Sequence, residues 1–241
     1  MKIAFLFSGQ LRQIPKDVFQ NSLSILTKGL TDYSIFAYCW QEEGKSLDHK
    51  KNLPLINLRG NIDESIKELF QDFNLEKYGI ESFQDFNKNL PEDYKEILNS
   101  NKFHFGTINS LPQIYTLYKS YQLLENSNCD FDLIFRCRFD SIFIHPLKLF
   151  PLKIILENNF LYNINFGRAY YPKRIYDIFF GGSQKSMRFI KNIWSDAIDL
   201  TNNEFNNGLD KRDCCRLLYL ASIHKDVKVK SFSSRICDVY R

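Results

Sequence analysis

The segment FDLIFRCRFDSIF, Phe131 to Phe143, constrains this chain more than any other. Leu133 to Phe135 read as a buried strand running straight into Arg136, Arg138 and Asp140. A short, continuous apolar run of this kind suits the middle of an α/β sheet. Two arginines and a carboxylate at its end are costly to bury without partners. In open α/β sheets, ligands bind outside the carboxyl ends of strands. The strand is therefore expected to deliver two cations and one anion to a binding crevice. Phosphate on a ligand would explain the arginines. A sugar or a metal ion would explain the aspartate. Because they alternate, Arg136, Arg138 and Asp140 would share one face of a strand.

The remaining sequence favours an α/β protein with a mainly parallel sheet flanked by helices. Ile3 to Phe7 and Tyr33 to Tyr38 read as strands, with a helix from Lys16 to Lys28 between them. That β-α-β alternation is the pattern of a parallel sheet. Gln41 to Asn61 reads as a polar loop, Ile62 to Phe73 as a short amphipathic helix, and Tyr78 to Phe83 as a short strand. Leu111, Ile114, Tyr118, Tyr121 and Leu124 recur at helical spacing, which predicts a helix over Ser110 to Leu124. Further strands are expected at Phe160 to Ile164, Ile175 to Phe180 and Val227 to Phe232. Gly181-Gly182-Ser183 reads as a turn. Helices are expected over Gln184 to Leu200 and Arg212 to Ile223. The 241 residues suffice for one large core, and no interior linker interrupts them, so residues 1–241 are expected to form a single domain.

Several function classes are disfavoured. A net charge of +4 without a basic block gives no support to nucleic-acid binding. Cys39, Cys129, Cys137, Cys214, Cys215 and Cys237 contain no CxxC pair. The opening run IAFLF ends at Ser8-Gly9-Gln10, which makes it a strand and not a signal peptide. No run approaches the roughly eighteen apolar residues of a membrane helix. Free thiols in a reducing cytoplasm are the expectation.

Other positions bear on chemistry. Ser8-Gly9-Gln10-Leu11-Arg12 ends the first strand. Its glycine lets backbone approach a ligand closely, and Arg12 can pair with phosphate. The segment is neither GxGxxG nor a P-loop. A plain strand-to-helix turn would look much the same. Asp177 precedes Ile178-Phe179-Phe180-Gly181-Gly182, an apolar run closed by two glycines, which suits contact with a sugar ring as well as an ordinary turn. Asp210 and Asp213 stand before the last helix and could simply cap it. Asp210 follows the flexible Gly208 and is the candidate for a carboxylate base that deprotonates an acceptor hydroxyl.

The segments IAFLFSGQLR, IFAYCW, FDLIFRCRFDSIF and IYDIFFGGSQKSM, in this order, resemble a group of bacterial and viral polysaccharide glycosyltransferases related to lipopolysaccharide-synthesis proteins. The resemblance runs from Ile3 to Met187. It implies a Rossmann-like, GT-A-like fold, a nucleoside diphosphate sugar donor and a glycan acceptor, lipid-linked in one version of the reading. The expected cytoplasmic location would be free in solution or peripheral to the inner face of a membrane. GT-A enzymes usually carry Asp-x-Asp where this chain has Arg138-Phe139-Asp140. Ser8, Gly9, Gln10, Arg12, Arg136, Arg138 and Asp140 are thus the candidate diphosphate and donor residues. Asp177 would hold sugar hydroxyls. Asp140 would hold a divalent cation, Mn²⁺ or Mg²⁺, or a donor-sugar hydroxyl. The alternative is a non-catalytic carbohydrate- or nucleotide-binding module on the same fold, favoured by Arg138 standing where an aspartate is usual. A nucleotidyltransferase would need a glycine-rich basic loop after the first strand, which SGQLRQ is too short to supply.

Overall fold

The computed structural model describes residues 1–11, 14–42, 61–99, 106–149, 151–164, 174–206, 214–232 and 237–239. The first half runs β1 (Ile3–Gly9), α1 (Lys16–Thr27), β2 (Tyr33–Trp40), α2 (Ile62–Leu69), β3 (Leu75–Glu81), α3 (Phe83–Asn89), α4 (Glu92–Asn99) and α5 (Gly106–Glu125). The second half runs β4 (Leu133–Cys137), β5 (Ser141–Phe143), α6 (Leu152–Asn158), β6 (Phe160–Ile164), β7 (Phe179–Ser183), α7 (Gln184–Met187), α8 (Ile193–Asn206), α9 (Cys214–His224), β8 (Lys228–Phe232) and β9 (Cys237–Val239). Seven strands form one sheet in the order β3-β2-β1-β4-β7-β6-β8. All its neighbours are parallel except the two pairings of β7, with β4 and with β6.

β1 is buried along its whole length, as a central strand covered on both faces must be. The two-residue period divides its side chains between two cores. Ile3, Phe5 and Phe7 join Phe19 and Leu23 of α1 and Ile66 of α2 on one face. Ala4 and Leu6 join Leu111, Ile114 and Leu117 of α5, with α8 and α9, on the other. Phenylalanines fill the first core: the rings of Phe7, Phe19 and Phe70 lie 5.1–5.8 Å apart as tilted and edge-on pairs.

Chain order and sheet order together mark a position. From β1 the chain moves outward through β2 to β3, with α1 and α2 on one face. It returns over the other face through α5 and enters β4 on the opposite side of β1. The reversal leaves the carboxyl ends of β1 and β4 side by side. This is the topological switch point at which open α/β sheets accept ligands. Because β7 runs antiparallel, its amino end, with Asp177 and Ile178 just before it, lies at the same edge.

Several expectations change; β3 runs over Leu75–Glu81 instead of Tyr78 to Phe83, and Phe83 opens α3. Gly181-Gly182-Ser183 is not a turn but the end of β7, and the strand begins at Phe179 instead of Ile175. A Cβ at Gly181 would collide with the Phe135 ring and lie 2.5 Å from the Ile134 carbonyl oxygen. The glycines serve close packing between strands. The helix expected over Gln184 to Leu200 is broken: a 3-10 turn at Arg188–Asn192 separates α7 from α8. α2 ends at Leu69, not Phe73. Arg138 and Asp140 lie beyond the end of β4, which stops at Cys137. Instead of sharing a strand face with Arg136, they form a turn closed by the Ser141 amide donating to the Arg138 carbonyl at 3.2 Å.

β5 and β9 form a separate antiparallel ribbon, Phe143 opposite Cys237. Ser22 of α1 anchors it, donating to the Ser141 carbonyl and accepting from the Phe143 amide at 2.8 Å. None of the six cysteines is joined in a disulfide. No helix among the described residues is long and apolar enough to cross a membrane.

Candidate functional site

β1 ends on Ser8 and Gly9. Gly9 has φ +120°, a conformation other residues rarely adopt. Among the described residues, a side chain there would meet no atom within 4 Å. Ser8 is fully buried and binds the neighbouring strand. Arg136 Nε donates to Ser8 Oγ at 3.2 Å, and Arg136 Nη2 donates to the Ser8 carbonyl at 3.3 Å. Arg136 is only 2% exposed, and among the described residues its Nη1 has no hydrogen-bond partner. An unmatched buried donor costs about 1–3 kcal/mol, more when charged. Burial lowers the pKa of Arg136 against the pull of Asp177. A guanidinium nonetheless keeps its proton.

Arg138 extends the β4–β7 ladder by one bond, its amide donating to the Ile178 carbonyl at 3.1 Å. Its side chain then closes on two carboxylates. Nε and Nη2 grip Asp140 as a fork at 2.8 and 2.6 Å, and Nη1 donates to Asp177 Oδ2 at 3.2 Å. Bidentate pairing of this kind is the strongest an arginine makes. Burial works to lower the Arg138 pKa, but Asp177 and Asp140 outweigh it and push it up. Asp177 is the mirror case: burial works to raise its pKa, and Arg138 and Arg136 hold it below the ordinary carboxylate value. Asp177 Oδ1 also lies 3.7 Å from Sγ of Cys215, at the start of α9.

The structure thus brings Ser8, Gly9, Arg136, Arg138, Asp140 and Asp177 to one edge, at the switch point. Gln10 follows directly and is half-buried. Arg12, Asp210 and Asp213 lie outside the described residues. Cys215 has no counterpart among the sequence candidates, because only the tertiary fold brings α9 to Asp177.

The fold raises the question of a divalent ion at Asp140. The Asp140 side chain is 1% exposed, and both of its oxygens accept from Arg138. Asp177, the nearest second carboxylate to Arg138, shares the same guanidinium. Among the described residues, no three ligating side chains gather to hold a metal. The described donor set fits an arginine between the carboxylates, not an oxygen-coordinated cation.

A second polar cluster lies at the same edge beside β3. Glu81 accepts from the hydroxyls of Tyr38 on β2 and Tyr115 on α5, the latter at 3.0 Å. Lys119 Nζ stands 5.7 Å from the Tyr38 ring centre and 5.8 Å from that of Tyr115. Trp40 stacks on Tyr115 with a 10° angle between the rings. Burial, then the bond to Glu81, raises the pKa of both tyrosines.

No protein-family model matches the sequence, and no curated protein does. Among solved structures, the chain is similar to a nucleoside-diphosphate-sugar pyrophosphorylase from Vibrio cholerae, with a TM-score of 0.50 and 9% identity, over 98% of this chain and 94% of that one. Mouse xyloside xylosyltransferase 1 in its apo form also matches, with a TM-score of 0.45 and 9% identity, over 96% of this chain and 84% of that one. The pyrophosphorylase likeness shows the fold: a Rossmann-like α/β sheet, mainly parallel and flanked by helices.

Proposed function

We propose that this chain is a glycosyltransferase that moves a sugar from a nucleoside diphosphate sugar to a hydroxyl of a surface glycan. The carrying observation is the cluster of buried Arg136, half-buried Arg138 and two carboxylates at the β1/β4 switch point, on a sheet shared with a nucleotide-sugar enzyme. The donor diphosphate would lie over Gly9, against Arg138 and, from the adjoining segment, Arg12. Arg138 spends three of its N–H donors on carboxylates and keeps two for a ligand. Arg136 holds Ser8 and with it the carboxyl end of β1. Asp177 is partly exposed and would accept from sugar hydroxyls, and Asp210 would serve as the base for the acceptor hydroxyl. Fixed donors around a departing diphosphate stabilise the charge that develops on it, usually the largest contribution to such catalysis.

The test is a panel of UDP-, GDP-, CDP- and TDP-sugars. Thermal unfolding would report binding, worth on the order of 3 kcal/mol at a hundredfold excess over Kd. Release of nucleoside diphosphate with and without a glycan acceptor would report transfer. Acceptor-dependent release supports the proposal. Stabilisation without turnover would make the chain a binding module. Neither effect with any donor would overturn the assignment. The pyrophosphorylase likeness favours one further arm. Pyrophosphate release from a nucleoside triphosphate and a sugar 1-phosphate would identify nucleotidyl transfer instead.

A further inference from the structure

We propose that Arg138 and Arg136 together replace a divalent ion in this chain, so that its anionic ligand is bound without a metal. A divalent metal at this edge would be held by Asp140 and Asp177, its two charges offset by theirs, and would meet the ligand through its open coordination positions. Arg138 occupies that position: it makes three hydrogen bonds, two to Asp140 and one to Asp177. Asp140 is almost wholly buried, and the fork fixes it in the plane of the guanidinium, so it is turned inward. The second positive charge is present too. Arg136 is buried beside the cluster, fixed to Ser8, and interacts electrostatically with Asp177. Two arginines supply the two positive charges a divalent ion would bring, and they balance the two carboxylates. Only Arg138 and Asp177 keep some exposure, at 18% and 14% of their side chains. The face shown to a ligand is therefore a guanidinium edge with donors to spare. Its geometry is set from behind by Asp140, a positioning residue, and from β1 by Ser8.

The proposal rests on the donor-site reading only for its nucleotide arm. In that arm, affinity of the wild-type protein for nucleoside diphosphate, titrated calorimetrically, should agree within twofold in EDTA and in Mn²⁺. A tenfold or greater gain with Mn²⁺ that Asp140→Asn abolishes would overturn the proposal. The second arm needs no nucleotide. Arg138→Ala removes the guanidinium that Asp140 and Asp177 share, which leaves the place between them open to a cation. Mn²⁺ alone should raise the melting temperature of Arg138→Ala by about 4 °C or more. It should leave the wild type and the Arg138→Ala/Asp140→Asn double variant unmoved. A rise of the same size in the wild type, or none in Arg138→Ala, would overturn the proposal. If Arg138→Ala does not fold, Arg138→Gln carries the same measurement. If neither folds even in Mn²⁺, the ion cannot stand in for the guanidinium and the proposal falls. A wild type that binds no nucleotide would remove the donor-site reading while leaving the Mn²⁺ arm to be judged on its own result.

Discussion

At the end of β4, two arginines face two carboxylates. At the end of β3, one carboxylate, Glu81, is held by two tyrosine hydroxyls. Both clusters sit at the same edge of the same sheet. The first is made of full charges that cancel, drawn from β1, β4, the turn after β4 and the approach to β7. The second is a single charge solvated by neutral donors, with Lys119 lying over the tyrosine rings. An array of paired charges is rigid and costly to disturb, because removing one member leaves another buried without its counter-charge. A carboxylate held by hydroxyls loses only hydrogen bonds. The first arrangement suits a site that must keep its shape while an anion arrives. The second suits the packing of α5 on the outer strands.

The contrast is broken or sharpened most strongly by charge removal. Asp140→Ala should destabilise the protein by about 3–5 kcal/mol in urea unfolding, the usual cost of stranding one partner of a buried pair. Tyr38→Phe and Tyr115→Phe should cost about 1–2 kcal/mol each. Equal losses at the two clusters would remove the distinction. Within the first cluster, Arg138→Met should be worse than Arg136→Met by about 2 kcal/mol. The former gives up direct bonds to two carboxylates, while the latter gives up bonds to Ser8 and a longer-range pull on Asp177, and removes a donor unmatched among the described residues. Comparing the two urea midpoints at constant slope checks the order.

The clusters should also fail at opposite ends of the pH scale. The Asp177 pKa is lower folded than unfolded, so its contribution is complete above the unfolded value of about 3.9 and is lost as pH falls through the folded value. Asp177→Asn should therefore flatten the loss of stability below about pH 4. Tyr38 and Tyr115 have raised values, so their contribution is complete below about pH 10 and is lost as pH rises through the folded values. Tyr38→Phe should flatten the alkaline limb and leave the acid limb alone. The smallest effect is expected at Lys119→Met, about 0.5–1 kcal/mol from the contact over the tyrosine rings. Chemical denaturation across pH would measure all three.

β1, β2 and β4 were legible because each is a largely apolar run between turn signals, and they lie within two residues of their expected ends, whereas β3, LEKYGIE, carries no such run and starts three residues before its expected place. The other half was harder for physical reasons. β5 and β9 have three residues each, too few to show a period. The two glycines of β7 carry a turn signal locally, yet tertiary packing against Phe135 and Ile134 decides their role. At the site, the importance of Arg136, Arg138 and Asp140 could be read from the cost of burying them. Their arrangement could not, since a strand period sends Arg138 and Asp140 outward together while the turn folds one onto the other. Glu81 and Cys215 depend on contacts between segments 34 and 38 residues apart in the chain, which no local pattern reveals.

A nucleoside diphosphate should bind at the β1/β4 edge and not beside β3. Backbone amide chemical shifts followed during titration with UDP, GDP, CDP and TDP test it most directly. For at least one nucleotide, the account predicts saturable shifts centred on Gly9, Gln10, Arg138 and Ile178, with Glu81, Ser82 and Phe83 nearly still. No shift with any nucleotide, or shifts centred on Glu81 and Ser82 while Gly9 and Arg138 stay fixed, would contradict it.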